Sequence, residues 1–325
     1  MTDPLGQSQV IPYLIGLSKK GFSFHLVSCE KKNNFSAHEN SIRKLLEENN
    51  ITWHPLSYTK SPPVLSTMLD ISRMSRKAFW LHRKEKFSIV HCRSYIASMV
   101  GLELKRKYGM KFIFDMRGFW ADERVEGRLW DLKKPLYRKV FGYFKKKEEE
   151  FFNEADYTIS LTHAGEKEIH SWKNLKQPVP VEVIPCCADF EIFSPDTINQ
   201  KLLQELKNKF SIGVNNFILS YLGSVSTWYR LDEMFRFFKF IQKKKPSAKF
   251  LFITTELPDE IHATADELGI DKKFLIITKA TRPKVPALLS LSKVSIFFIK
   301  PGFSKKSYLT YQSGGDDGNG YLDYL

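Results

Sequence analysis

Short runs of β-branched and aromatic residues alternate along the chain with stretches whose apolar positions recur every three to four residues. This alternation is the pattern of parallel strands joined by crossover helices. It predicts strands at 22–28, 51–56, 87–92, 111–116, 157–161 and 180–185, then a second series at 217–222, 249–254, 273–278 and 294–299. Helices are predicted between them, at 8–20, 36–49, 64–84, 94–108, 131–154, 163–172, 198–209, 231–244, 258–268 and 284–292. The rhythm pauses from Cys186-Cys187-Ala188-Asp189 to Ser194-Pro195-Asp196, which divides the chain into two doubly wound α/β domains, 1–189 and 190–325. Each is long enough to bury its own core. Two irregularities stand out. The chain opens on a turn and a helix, Asp3-Pro4-Leu5-Gly6-Gln7-Ser8-Gln9, with no strand ahead of it, and the stretch Ser313–Gly320 breaks the α/β alternation.

Composition narrows the class. The 325 residues are 42% hydrophobic and 26% charged, which excludes disordered, collagen-like and coiled-coil chains. No run approaches the roughly 18 apolar residues of a membrane span, and Met1-Thr2-Asp3-Pro4 lacks the pattern of a signal peptide. The four cysteines, Cys29, Cys92, Cys186 and Cys187, show neither a disulfide-scaffold spacing nor a metal-ligand spacing, so a reducing cytoplasmic compartment is expected. Lys and Arg number 50 against 36 Asp and Glu, leaving a net charge of +14. That surplus admits nucleic acid, an anionic membrane surface or an acidic small molecule such as a nucleotide. For nucleic acid, no helix-turn-helix, RRM or zinc pattern is present.

Ligand sites in doubly wound sheets lie beyond the carboxyl ends of strands. The densest chemistry follows the strand at 111–116, in Phe114-Asp115-Met116-Arg117-Gly118-Phe119-Trp120-Ala121-Asp122-Glu123-Arg124. Arg117 suits a phosphate or carboxylate there, and Asp115, Asp122 and Glu123 suit sugar hydroxyls or proton transfer. The same stretch also reads as a loop with surface ion pairs. His91-Cys92-Arg93 closes the preceding strand in the same way, with His91 either a direct contact or a packed structural residue. Gly6-Gln7-Ser8 either offers backbone N–H groups to an anion or caps a helix. In the second half, Gly223, Ser224 and Arg230 surround the end of one strand, while Lys305 and Lys306 follow another. The stripe Tyr137, Val140, Phe141 and Phe144 packs on a sheet, leaving neighbouring lysines for solvent or an anionic membrane.

Taken in order, D-P-L-G-Q-S-Q-V at 3–10, V-H-C-R-S-Y at 90–95, F-D-M-R-G-F-W-A-D-E-R at 114–124, V-I-P-C-C-A-D at 183–189, Y-L-G-S at 221–224 and I-K-P-G-F-S-K-K at 299–306 resemble bacterial family-four glycosyltransferases of the GT-B fold. The resemblance implies retaining, metal-independent transfer of a sugar from a nucleotide-sugar co-substrate, without a cofactor, to a glycan or lipid-linked acceptor in surface polysaccharide synthesis. It places the acceptor on the N-terminal domain and the donor on the C-terminal one, at the cytoplasmic face of the membrane. It implies catalytic roles for Asp115, Arg117 and Glu123. Gly6, Gln7, His91 and Arg93 join the acceptor side or a phosphate loop, and Gly223, Ser224, Arg230, Lys305 and Lys306 the donor side. The alternative is a non-catalytic basic protein that binds anionic membrane or nucleic acid.

The sequence departs from that family in two places. Ser224 and Tyr229 stand where an Arg and a Lys often hold the donor diphosphate, and the family's P-T-K-x-G-E segment does not follow Lys306. Back-translation of Leu309–Tyr321, moved forward one base, permits S-P-T-K-(A/V)-G-E. These features predict a GT-B-like chain frameshifted near its C-terminus and truncated at its N-terminus. Its first strand and the C-terminal part of its second domain are expected to be missing, and its activity to be impaired.

Overall fold

The computed structural model describes residues 1–187, 190–225 and 228–307. It divides into two units, Met1–Cys186 together with the segment from Phe303, and Cys187–Gly302.

The first unit opens with α1 (Pro4–Gln9) and α2 (Ile11–Ser18), then β1 (Phe24–Glu30), α3 (Lys32–Glu48), β2 (Ile51–Ser57) and α4 (Leu65–Glu85). It continues through β3 (Ile89–Arg93), α5 (Ser94–Tyr108), β4 (Lys111–Asp115), α6 (Trp120–Glu126), α7 (Pro135–Glu154), β5 (Tyr157–Ser160), α8 (His163–Ser171) and β6 (Val181–Val183). Strands β1 and β2 pair in parallel, and β3-β4-β5-β6 form a second parallel sheet in chain order. Phe112 and Phe114 on β4 pack against Phe151 and Phe152 of α7, all at most 1% exposed. The stripe predicted on α7 joins this core through Val140, Phe141 and Phe144. At Gly101 a Cβ would overlap Cys92 Sγ and the Phe112 ring, so α5 lies against β3 and β4 at a distance only glycine permits. That close seating fixes the start of α5, directly after Arg93.

The second unit contains α9 (Phe190–Phe193), α10 (Gln200–Lys209), β7 (Ile218–Leu222), α11 (Leu231–Lys244), β8 (Lys249–Ile253), α12 (Asp259–Glu267), β9 (Leu275–Thr278), α13 (Val285–Leu289) and β10 (Val294–Ser295). Its parallel sheet has the order β10-β7-β8-β9. From β7 the strand order runs one way to β8 and β9 and the other way to β10, which makes the carboxyl end of β7 a topological switch point. Phe235 and Phe238 of α11 bury themselves on Phe250 and Phe252 of β8.

All ten predicted strands form, but the expected losses at the two ends do not. Strands and helices follow one another without a break through the described residues of both units. The opening helices are seated rather than stranded: Ile11, 2% exposed, closes a core with Ile42, Leu46, Ile51 and Trp53 around β1 and β2. The second unit completes a four-stranded sheet with β10. The prediction of a missing first strand and a missing C-terminal part is therefore corrected. Residues 309–321, on which the shifted-frame argument was built, lie outside the described residues.

Candidate functional site

In the first unit the register of β3 on β4 sets Arg93 directly opposite Asp115 at the carboxyl ends of both strands. Arg93 Nη1 lies 3.5 Å and His91 Nε2 3.6 Å from Asp115 Oδ2. Arg117 Nη1 approaches Asp115 Oδ1 to 3.8 Å. That Oδ1 is buried and accepts no hydrogen bond. Both guanidiniums donate instead to Gln9 Oε1 at the end of α1, Arg93 at 2.7 Å and Arg117 at 2.9 Å. Arg117 also donates to Cys186 Sγ at 3.1 Å. Burial, followed by the neighbouring Arg117 charge, lowers the Arg93 pKa from its ordinary value. The chain leaves β3 and β4 through left-handed backbones at Ser94 (φ 67°) and Arg117 (φ 57°). For residues other than glycine this conformation is strained, and such strain gathers at functional sites.

Helix α6 carries Glu123 beside this cluster in sequence and is anchored twice. Lys145 of α7 pairs with Asp122 at 2.8 Å, and also with the wholly buried Glu148, which accepts from the Tyr95 hydroxyl. On its other flank, Glu126 accepts from the Ser304 backbone N–H at 3.1 Å and from its hydroxyl at 2.5 Å. Phe303–Ser307 thus docks on the first unit, with the Phe303 ring 5.0 Å from Phe119. Lys305 is buried here; burial lowers its pKa while Glu123 and Glu126 oppose the shift. Lys306 Nζ pairs with Glu168 at 2.7 Å. Of the other residues singled out in the sequence, Gly6 is buried against the Met1 backbone, and Gln7 Nε2 donates to the Thr2 carbonyl at 3.0 Å.

In the second unit the turn after β7 is built around Gly223, whose φ of +153° and whose missing Cβ, 2.9 Å from Tyr221 Oη, exclude other residues. Tyr221 donates to the Ser224 carbonyl, the Ser224 hydroxyl donates to Glu256, and the Val225 N–H donates to Glu256 Oε2 at 3.0 Å. Glu256 borders a cavity of about 390 Å³ at the carboxyl ends of β8 and β9, with Thr254, His262, Ile277, Thr278 and Lys279. Arg230, at the N-cap of α11, pairs with Asp232 at 3.2 Å and Glu233 at 2.9 Å in the first turn of that helix. Sequence reasoning missed Glu256, a single carboxylate in a loop with no motif around it. It also passed over Gln9 and Cys186, which lie inside quoted motifs. Among the described residues no group of three His, Cys, Asp or Glu is placed to hold a metal ion, and no helix is long and apolar enough to cross a membrane.

The model for Glycosyltransferase Family 4 matches residues 10–192, more than half of the chain. The chain belongs to that family. Comparison with curated proteins returns no match. Among solved structures, sucrose-phosphate synthase from Thermosynechococcus elongatus is similar at a TM-score of 0.61 and 11% identity, over 84% of this chain and 74% of that one. A glycosyltransferase from Rickettsia africae is similar at a TM-score of 0.61 and 12% identity, over 90% of this chain and 70% of that one. At such identities the likeness establishes the fold, a GT-B-like pair of Rossmann-like domains. The family match over an unbroken run of elements also overturns the reading of a truncated, frameshifted glycosyltransferase.

Proposed function

We propose that this glycosyltransferase moves a sugar from a nucleotide-sugar donor to a hydroxyl of a glycan or lipid-linked acceptor, with retention of anomeric configuration. The glycosidic bond to the departing phosphate breaks as the bond to the acceptor oxygen forms on the same face. The acceptor proton passes to the departing phosphate oxygen. Such a step needs fixed donors around the developing phosphate charge and both sugars held in register. Asp115, Arg117 and Glu123, with His91 and Arg93, serve the acceptor; Asp115 Oδ1 accepts a hydrogen bond from an acceptor hydroxyl next to the reacting one. Gly223, Ser224 and Arg230 serve the donor diphosphate, and the cavity beside Glu256 takes the nucleoside. Lys305 supports Glu123, and Lys306 braces the same turn against α8.

One observation carries the reading: in a Family 4 chain, Arg93, Asp115 and Arg117 meet at the ends of adjacent parallel strands, around a carboxylate oxygen that accepts no hydrogen bond. The switch-point position of Gly223 and Ser224 supports the donor half. We extend the proposal to peripheral contact with an anionic membrane at the cytoplasmic face. Exposed Leu65, Met68 and Trp80 on α4 lie among Arg73, Arg76 and Lys77, and Leu136 and Tyr143 on α7 lie among exposed lysines.

The test is to incubate the chain with UDP-, GDP- and dTDP-sugars and a panel of glycan and lipid-linked acceptors, with and without EDTA and anionic vesicles. Acceptor-dependent nucleotide release that survives EDTA, a product of retained configuration by NMR, and co-sedimentation with the vesicles are expected. An inverted product, or no nucleotide bound or released across the panel, overturns the proposal.

A further inference from the structure

We propose that the acceptor carries a phosphate group beside the hydroxyl that is glycosylated, and that Arg93 and Arg117 bind this phosphate together. The inference rests on the assignment of this cluster to the acceptor and names the class of acceptor it takes.

Three features of the cluster point to an anion. The first is the shared partner. Two guanidiniums converge on one neutral oxygen, Gln9 Oε1, at 2.7 and 2.9 Å. An amide oxygen at the focus of two cations occupies the position that one oxygen of an anion would take, and a tetrahedral phosphate offers each guanidinium a second oxygen as well. The second is the charge balance. Asp115 is the carboxylate set between the two arginines, and its contacts of 3.5 and 3.8 Å are longer than the roughly 2.7–2.9 Å of a charge-assisted hydrogen bond. Arg117 is 18% and Arg93 31% exposed along the side chain, so two partly desolvated cations share one loosely held anion. A surplus of positive charge held out of water is relieved by a bound anion.

The third feature is Asp115 itself. Its side chain is 8% exposed, and Oδ1 accepts no hydrogen bond although it lies among polar groups. A buried carboxylate oxygen in that state is matched by a hydroxyl donor. The site thus offers two guanidiniums for a phosphate and one carboxylate oxygen for a neighbouring hydroxyl, the two functions of a phosphorylated sugar or of a phosphate-linked lipid headgroup. Arg117 also donates to Cys186 Sγ at 3.1 Å. The left-handed turns at Ser94 and Arg117 hold both arginine-bearing strand ends in a fixed shape before any ligand arrives.

The test titrates the intact chain with inorganic pyrophosphate, glucose 1-phosphate and glucose by calorimetry. In parallel, binding to phosphatidylcholine vesicles with and without 30% phosphatidylglycerol is measured. The same titrations are run on Arg93→Gln, Arg117→Gln, Arg93→Lys, Arg117→Lys, Arg230→Gln and the remote control Lys44→Gln, each checked by circular dichroism. Glucose 1-phosphate should bind and glucose should not. Each Gln variant should weaken binding by about tenfold or more, each Lys variant by less, and Lys44→Gln not at all. If the loss appears with glucose 1-phosphate, the acceptor is a soluble sugar phosphate; if it appears only with the anionic vesicles, the phosphate belongs to a lipid. Equal binding by wild type and both Gln variants, or loss confined to Arg230→Gln, would overturn the inference. Nucleotide release from sugar nucleotides, followed on the same samples, separates the two levels. Arginine-dependent phosphate binding without turnover removes the transferase reading alone, whereas turnover with arginine-independent phosphate binding removes this inference alone.

Discussion

Arg117 and Gly223 each stand where a strand hands the chain to a loop, and in each the backbone is as informative as the side chain. Arg117 holds a left-handed φ of 57° and directs its guanidinium to Gln9 and Cys186. The chain maintains this conformation at a cost of about 1–3 kcal/mol because the surrounding contacts hold it. Gly223 is needed for two reasons, its φ and the Tyr221 hydroxyl beside it. Gly223→Ala should therefore lower stability by about 1–3 kcal/mol and weaken nucleotide binding, because Ser224 would shift with the turn. Thermal denaturation together with nucleotide titration checks this, and an unchanged melting temperature would count against it. At this scale the charged residues of the site were legible, since an Arg or Asp at a strand end has few structural uses. Gln9 was not, because a neutral amide in a short helix resembles any surface residue until the fold brings two arginines to it.

Among the elements, α6 was one that the pattern concealed. Trp120–Glu126 is too short to show a period and too charged to look buried, so it reads as a loop. Its helical state depends on tertiary contacts: Ala121 is fully buried, Lys145 holds Asp122 and Ser304 holds Glu126. The segment from Phe303 was read for its lysines, and the ring contact of Phe303 with Phe119 was not foreseen. Helices α5, α6 and α7 are joined through Tyr95, Asp122, Lys145 and Glu148. Burial pushes the Glu148 carboxyl up to about 7 from an ordinary 4.5, against the opposing pull of Lys145 and Tyr95, while Asp122 adds to the rise. A carboxyl with a raised pKa binds its proton more tightly in the folded state. Its contribution is therefore full below about pH 4.5 and is lost as the pH climbs through about 7. Between pH 5 and 8 this amounts to about 2–3 kcal/mol at most. Glu148→Gln should lessen the loss of stability over that range relative to wild type, as read by urea unfolding at both pH values. An identical pH dependence in the two proteins would contradict the role given to Glu148.

For the molecule as a whole, the strand and helix alternation was enough to predict two doubly wound units, because parallel strands buried on both faces leave long apolar runs. The first strand was misjudged as missing, whereas Ile11 seats α2 on a core with β1 and β2. The proposed donor half was only partly legible, since there Ser224 and Val225 donate to the loop carboxylate Glu256 and no basic motif is present. The central claim joins the family to the arginine site, and one comparison tests it most directly: acceptor-dependent nucleotide release by the intact chain and by Arg117→Ala. Arg117 is 18% exposed along its side chain and lies outside the apolar core, so the variant should keep its circular dichroism spectrum and its affinity for the donor. The account predicts a loss of turnover of about a hundredfold or more, the scale of removing one fixed charged donor from a reacting centre. An Arg117→Ala enzyme that releases nucleotide as fast as the wild type would contradict it.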